Sequence, residues 1–195
     1  MSTVIIAARV ALLTLVLTGI AYPLVTTGVA KLIFPRQAEG SLVTDDRGRV
    51  VGSELIGQGF TKPYYFQARP SVAGEKGWDA TASAGSNYGT TSKKLHDRVE
   101  ADVARLQKEN PDAPGPVPVE LVTASASGLD PEISPAAAQW QVARVARARG
   151  ISPERVRGVV DAVAEGRELG VLGEPRVNVL LLNLALDRQF GRPAG

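Results

Sequence analysis

The sequence predicts an α+β protein in which one N-terminal transmembrane helix is followed by a single mixed α+β domain. Three observations predict it. An uncharged, strongly apolar run lies between Arg9 and Lys31. Short β-branched runs separated by turn residues follow it. Further on, amphipathic stretches begin at capping serines and end at glycine or proline.

Residues 10–30 contain no charge and are long enough, at about 1.5 Å per residue, to cross a bilayer core as a helix. Residues 1–9 form a short N-terminus, 31–40 a connector containing Pro35, and 41–195 the soluble domain. A cleaved signal peptide is the rival reading, because Gly28-Val29-Ala30 offers a small-x-small site. The apolar region exceeds the usual apolar core of a signal peptide, about 7–15 residues, which favours a retained helix. Ala7, Ala11, Thr14, Thr18 and Ala21 recur at spacings of three and four and so share one stripe. Small residues let another helix approach closely in lipid. Pro23 and Gly28 should bend or loosen the outer end.

Charge does not settle orientation. Arg9 lies on one side, and Lys31, Arg36, Arg47 and Arg49 on the other. Positive-inside bias leans toward a cytoplasmic domain, but that rule is weak for long translocated domains.

In the soluble part, residues 41–44 and 49–52 flank the turn Asp45-Asp46-Arg47-Gly48 and predict a hairpin. Tyr64-Tyr65-Phe66 predicts a short strand, and so does Val119-Glu120-Leu121-Val122. Residues 69–91, rich in Gly, Ser, Ala and Asn, read as a functional or partner-bound loop. A helix is predicted over 92–110, with Leu95, Val99, Val103 and Leu106 on one face. Ser134, Pro135 and Gly150 delimit a second helix. Ser152-Pro153-Glu154 opens a third, with Val156, Val159, Val160 and Val163 on its inner stripe. Residues 177–190 are apolar on every face and predict a central buried helix, with a buried strand as the alternative for the first half.

Composition narrows the chemistry. The 195 residues carry a net charge of +2 and 22% charged residues, with no basic patch to suggest nucleic acid. There is no cysteine, so disulfides and thiolate metal sites are excluded. The one histidine, His96, falls on the polar side of its helix and reads as solvated. The phosphate-binding sequence G-x-x-x-x-G-K-[ST] is absent, as is the D-K-T-G-T phosphorylation sequence. No catalytic residue and no metal ligand set is expected. Asp130 and Glu132 suit a helix start as well as a cation. Two small-residue segments, 85–89 and 123–131, expose backbone N–H groups and hydroxyls suited to anion nests or close docking.

Several blocks then resemble one family. They are Phe34-Pro35-Arg36-Gln37-Ala38-Glu39-Gly40-Ser41-Leu42, Gly52-Ser53-Glu54-Leu55-Ile56-Gly57-Gln58-Gly59-Phe60, and Tyr65-Phe66-Gln67-Ala68-Arg69-Pro70-Ser71, a YFxxRPS motif. Ser83-Ala84-Gly85-Ser86-Asn87 matches S-x-G-S-N. Residues 117–131 with Ile133-Ser134-Pro135, and the stretches 173–180 and 182–187, complete the set. Together they resemble the C subunit of Kdp-type potassium-transporting P-type ATPases over nearly the whole chain. The resemblance implies a non-catalytic accessory subunit in a bacterial cell membrane. Its N-terminus would be cytoplasmic and its domain extracytoplasmic. Its partners would be a channel-like A subunit that binds K⁺, an ATP-hydrolysing B subunit and a small F subunit. ATP and K⁺ would be handled by the complex, with no cofactor of the chain's own. The family is described as a catalytic chaperone that raises the ATP affinity of the B subunit. The expected partner contacts are Ala7, Ala11, Thr14, Thr18, Arg69, Ser86, Asn87 and Asp130. The alternative is direct nucleotide contact by the 123–130 loop through Ser125, Ser127 and Gly128.

Overall fold

The computed structural model describes residues 2–193. The chain divides into two compact units, Met1–Val43 and Thr44–Gly195.

The first unit is dominated by one apolar helical stretch, Ser2–Ile33, of 32 residues. It is long and apolar enough to cross a membrane, and none of its residues is buried. Helix α1, Ser2–Val16, runs into a π-helical turn, Leu17–Ala21, and then α2, Tyr22–Ile33. Pro23 lacks an N–H, and in a regular helix its ring would press on the carbonyl of Gly19. The turn just before it is widened, and the Tyr22 N–H bonds back to the Leu17 carbonyl. The loosening expected near Pro23 therefore takes this form, whereas Gly28 stays inside α2. Thr18 and Thr26 donate their hydroxyls to the carbonyls of Thr14 and Tyr22, each at 2.8 Å. Polar groups are thus satisfied within an apolar helix. Helix continues over Arg9 and Lys31, beyond the uncharged stretch, and a short α3, Pro35–Ala38, follows.

In the second unit, helices α5, α6 and α7 pack around one core. Strands β1, Leu42–Thr44, which begins in the first unit, and β2, Val50–Ser53, flank the expected turn. The Asp45 carboxylate organises its turn. It accepts from the Arg47 and Arg49 N–H groups, each at 2.9 Å, and from the Arg49 guanidinium at 2.7 Å. These bonds, the Arg49 N–H above all, hold its pKa below the usual carboxylate value.

Helix α4, Lys93–Glu109, lies one residue inside its predicted bounds and buries only Leu106 of its apolar face. Helix α5, Pro135–Arg149, starts where Ser134 accepts from the Ala137 N–H at 3.1 Å and ends at Gly150, whose φ is +67°. A left-handed residue closes a helix at low cost when it has no Cβ. Helix α6, Pro153–Val163, buries Val156, Val159 and Val160, one stripe at i, i+3, i+4. The apolar C-terminal segment is mostly the expected buried helix, and the alternative strand is confined to its first two residues. Val177–Asn178 is strand β4, and Val179–Phe190 is helix α7, capped by Asn178. Strand β4 pairs antiparallel with β3, Glu132–Ile133, in a second two-stranded sheet. Each valine or leucine fully removed from water here contributes about 1.5–3 kcal/mol relative to exposure.

Two predicted strands are corrected. Residues 119–122 form a 3₁₀ turn, Val119–Leu121, because the Leu121 N–H bonds to Pro118 O at 3.0 Å. The Glu120 carboxylate points into the fold and grips the Ser134 N–H and hydroxyl. Residues 64–66 pair with no strand. Their backbone is bonded by helix side chains instead. Asn183 takes both polar groups of Phe66, at 2.8 and 3.0 Å. Gln141 does the same for Gln67, at 2.8 and 3.0 Å. Arg144 donates to Pro63 O and Tyr65 O, and Arg149 donates to Tyr64 O. Arg144 is buried among neutral acceptors, and burial lowers its pKa to about 10.

Candidate functional site

The structure brings together the two small-residue segments that the sequence singled out. Ser127 O accepts from the Ala84 N–H at 2.9 Å and from the Ser83 hydroxyl at 3.0 Å. Gly85 and Gly128 make this contact possible. A Cβ on Gly85 would lie 2.8 Å from Ala126 O, and one on Gly128 would lie 2.7 Å from Ala84 O. Gly128 is also left-handed, with φ +67°.

Ser71 of the YFxxRPS stretch ties a third segment to this platform. Its hydroxyl donates to Gly128 O at 2.5 Å and accepts from the Trp78 N–H at 2.8 Å. Gly57 adds a fourth, donating to Leu129 O at 2.8 Å. Four chain segments without regular secondary structure are therefore fixed by one another.

Arg69 and Asp130 stand at the edge of the platform as an ion pair, 2.9 Å apart, each side chain about a quarter exposed. Arg69 also reaches Thr123 O at 3.3 Å, and Asp130 accepts from the Glu132 N–H at 3.0 Å. Both residues line two adjoining clefts. One, of about 630 Å³, includes Leu55, Ile56, Ser125 and Ser127. The other, of about 430 Å³, includes Glu120, Glu132, Glu174 and Arg176. Glu132 bonds to Arg176 at 3.0 Å, yet burial outweighs that attraction and raises its pKa.

The remaining candidates are placed as follows. Ser125 is buried, and its hydroxyl accepts from the Gly128 N–H at 2.8 Å. Ser127 accepts from the Leu129 N–H at 3.1 Å. Two N–H groups of the suggested anion nest are thus engaged within the loop. Ser86 is half-buried, and Asn87 is exposed with φ +51°. Ala7, Ala11, Thr14 and Thr18 are all exposed on the apolar helix of the first unit. His96 is exposed, 4.0 Å from Glu100.

Sequence reasoning missed the polar residues that organise this unit: Asn183, Gln141, Arg144 and Arg149. One signal was available. Gln141 and Arg144 interrupt the inner face of α5, and Asn183 interrupts the run Leu182-Asn183-Leu184. A buried polar side chain in an apolar face demands a partner.

The family described as "KdpC: K+-transporting ATPase, c chain" matches residues 4–188. A Myxococcus xanthus protein named potassium-transporting ATPase KdpC subunit is 65% identical over 190 residues, covering 97% of this chain and 90% of that protein. Proteins of the same name from Sorangium cellulosum and Methylobacterium nodulans are 58% and 55% identical. They are matched over 88% and 90% of this chain and over 90% and 92% of their own lengths. The blocks that first suggested the resemblance thus lie within an alignment spanning both units, and the chain belongs to the KdpC family, the c chains of K⁺-transporting ATPases.

Proposed function

We propose that the chain is a non-catalytic accessory subunit of a high-affinity, ATP-driven potassium uptake complex. In this reading the apolar helix anchors it in the bacterial cell membrane, with a cytoplasmic N-terminus and an extracytoplasmic domain. The platform around Gly128 and the Arg69–Asp130 pair contacts the channel-like A subunit. The membrane helix contacts neighbouring spans, including those of the ATP-hydrolysing B subunit and the small F subunit. Assembly through these contacts raises the ATP affinity of the B subunit indirectly, as a catalytic chaperone. The observation that carries the reading is the family match, which runs through both the helix and the folded unit. The test is purification of the complex with and without this chain. Loss of K⁺-stimulated ATPase activity on its removal is expected, and a fully active complex lacking it refutes the proposal. Protease protection in sealed vesicles tests the side on which the domain lies.

One observation favours a second reading, direct ATP contact by residues 123–130: the cleft of about 630 Å³ beside Ser125 and Ser127. The engaged N–H groups of Gly128 and Leu129 weigh against it. Titration of the detergent-solubilised full chain with ATP decides. Saturable binding abolished by replacing Ser125 and Ser127 supports the second reading, and no binding at millimolar nucleotide ends it.

A further inference from the structure

Residues 165–176 form an arm that the fold does not need for its own closure. Helix α6 ends at Val163 and β4 begins at Val177. At the base, Glu165 and Arg176 exchange two backbone hydrogen bonds, of 2.8 and 3.0 Å, so the chain is already closed there. Every residue from 165 to 175 is exposed. A second pair, Glu168 and Leu172, exchanges two bonds of 2.9 Å and leaves Leu169, Gly170 and Val171 as the tip.

The tip is unfavourable twice over. Leu169 and Gly170 both have positive φ, +52° and +78°. Hairpin turns of that hand take Asn or Asp before Gly, whereas a leucine there is strained. Leu169 is also 89% exposed, with Val171 at 71% and Leu172 at 58%. Core packing and turn chemistry both fail to account for these aliphatic residues. Along the stem the charges pair off: Arg167 with Glu174 at 2.8 Å, and Arg176 with Glu165 and Glu168 at 2.8 and 2.7 Å.

We propose that this arm docks Leu169, Val171 and Leu172 into an apolar pocket, with a neutral or basic rim, on another subunit of the ATPase complex. The inference rests on the reading of the chain as a subunit. A protein pocket is favoured over a lipid surface by the arm's own chemistry. It has three glutamates against two arginines, and no Lys, Trp or Tyr. Interfacial anchors rely on those residues and on unpaired basic charge. A few aliphatic anchors held at fixed spacing suit a shaped pocket, and the constrained turn reduces the entropy lost on docking. The excess negative charge sets the sign of the rim.

Because the chain has no cysteine, Val171→Cys supplies a thiol unique within it for a photoreactive benzophenone, and the purified complex with the wild-type chain, treated alike, gives the background. The expected product is an adduct with one identified other subunit. Adding Leu169→Asn should cut that adduct about tenfold, as loss of a buried anchor does. It should leave the melting temperature equal or higher, because Asn accepts positive φ. A tip that serves only the fold predicts the reverse. Adducts with lipid alone or with a second copy alone overturn the proposal, as does an unchanged yield with Leu169→Asn. Failure of the unlabelled wild-type chain to co-purify at all is a separate result, which refutes the subunit reading itself.

Discussion

Asn183 and Phe66, 117 residues apart in sequence, exchange two hydrogen bonds in the interior of the second unit. The side-chain amide donates to Phe66 O at 3.0 Å and accepts from the Phe66 N–H at 2.8 Å. It presents a donor and an acceptor side by side, as the edge of a β-strand does. Gln141 repeats the arrangement for Gln67, 74 residues away. The YFxxRPS stretch is therefore held by α5 and α7 rather than by a sheet, and it enters the platform already fixed.

Replacing Asn183 should unfold this arrangement from within. Asn183→Leu leaves both polar groups of Phe66 buried without partners, which costs about 1–3 kcal/mol for each. Asn183→Asp keeps an acceptor, loses the donor and buries a charge, so it should be at least as damaging. Chemical denaturation of the detergent-solubilised chain measures both.

Gly128 and Gly150 share the same φ of +67° but differ in surroundings. A methyl on Gly150 meets nothing within 4 Å, whereas one on Gly128 lies 2.7 Å from Ala84 O. Gly150→Ala should cost only the left-handed strain, about 1–2 kcal/mol. Gly128→Ala should cost more and should also open the contact between residues 83–85 and 126–128. Thermal melts compare the two, and amide exchange at Ala84 reads the local opening.

Tyr65 donates to Asp187 at 2.6 Å, and burial followed by this bond raises its pKa from 10 to about 12. The folded chain therefore holds the proton more tightly than the unfolded one. Stability is intact below pH 10 and falls as the pH rises toward 12. Tyr65→Phe should flatten that fall. Absorbance titration should find a tyrosine ionising at about pH 12, and the variant should lack it.

The Arg69–Asp130 pair should matter more to assembly than to folding. A partly exposed pair contributes only about 0.2–1 kcal/mol to stability. Arg69→Ala and Asp130→Ala should therefore melt close to wild type, yet both should lower recovery of the chain with the other subunits. A double-mutant cycle on both readouts separates the two effects.

Where a segment's structure depends on its own residues, it was legible. Ser134, Pro135 and Gly150 set the bounds of α5, and the valine stripe of α6 faces the core as its spacing requires. The hairpin around Asp45 follows from its turn residues. Where structure depends on distant partners, it was not. Tyr64-Tyr65-Phe66 has strand composition, but its partners are side chains on α5 and α7. Residues 119–122 close on the Leu121-to-Pro118 bond, and Glu120 reaches Ser134, 14 residues on, a contact that no local pattern encodes. In the candidate site, both small-residue segments were recognisable. Their mutual contact was not, and neither was the pairing of Arg69 with Asp130. The positive φ of Leu169 was equally hidden, since leucine carries no signal for that conformation.

The clamp on residues 64–67 bears on solubility as well as on shape. Extended backbone with free N–H and C=O groups is a template on which other chains add strands and aggregate. Here amides and guanidinia from helices occupy the polar groups of an aromatic-rich stretch whose composition would otherwise favour such growth. During synthesis that protection waits for α7, whose Asn183 emerges 117 residues after Phe66, so nascent chains should be most prone to misassociation until that helix docks.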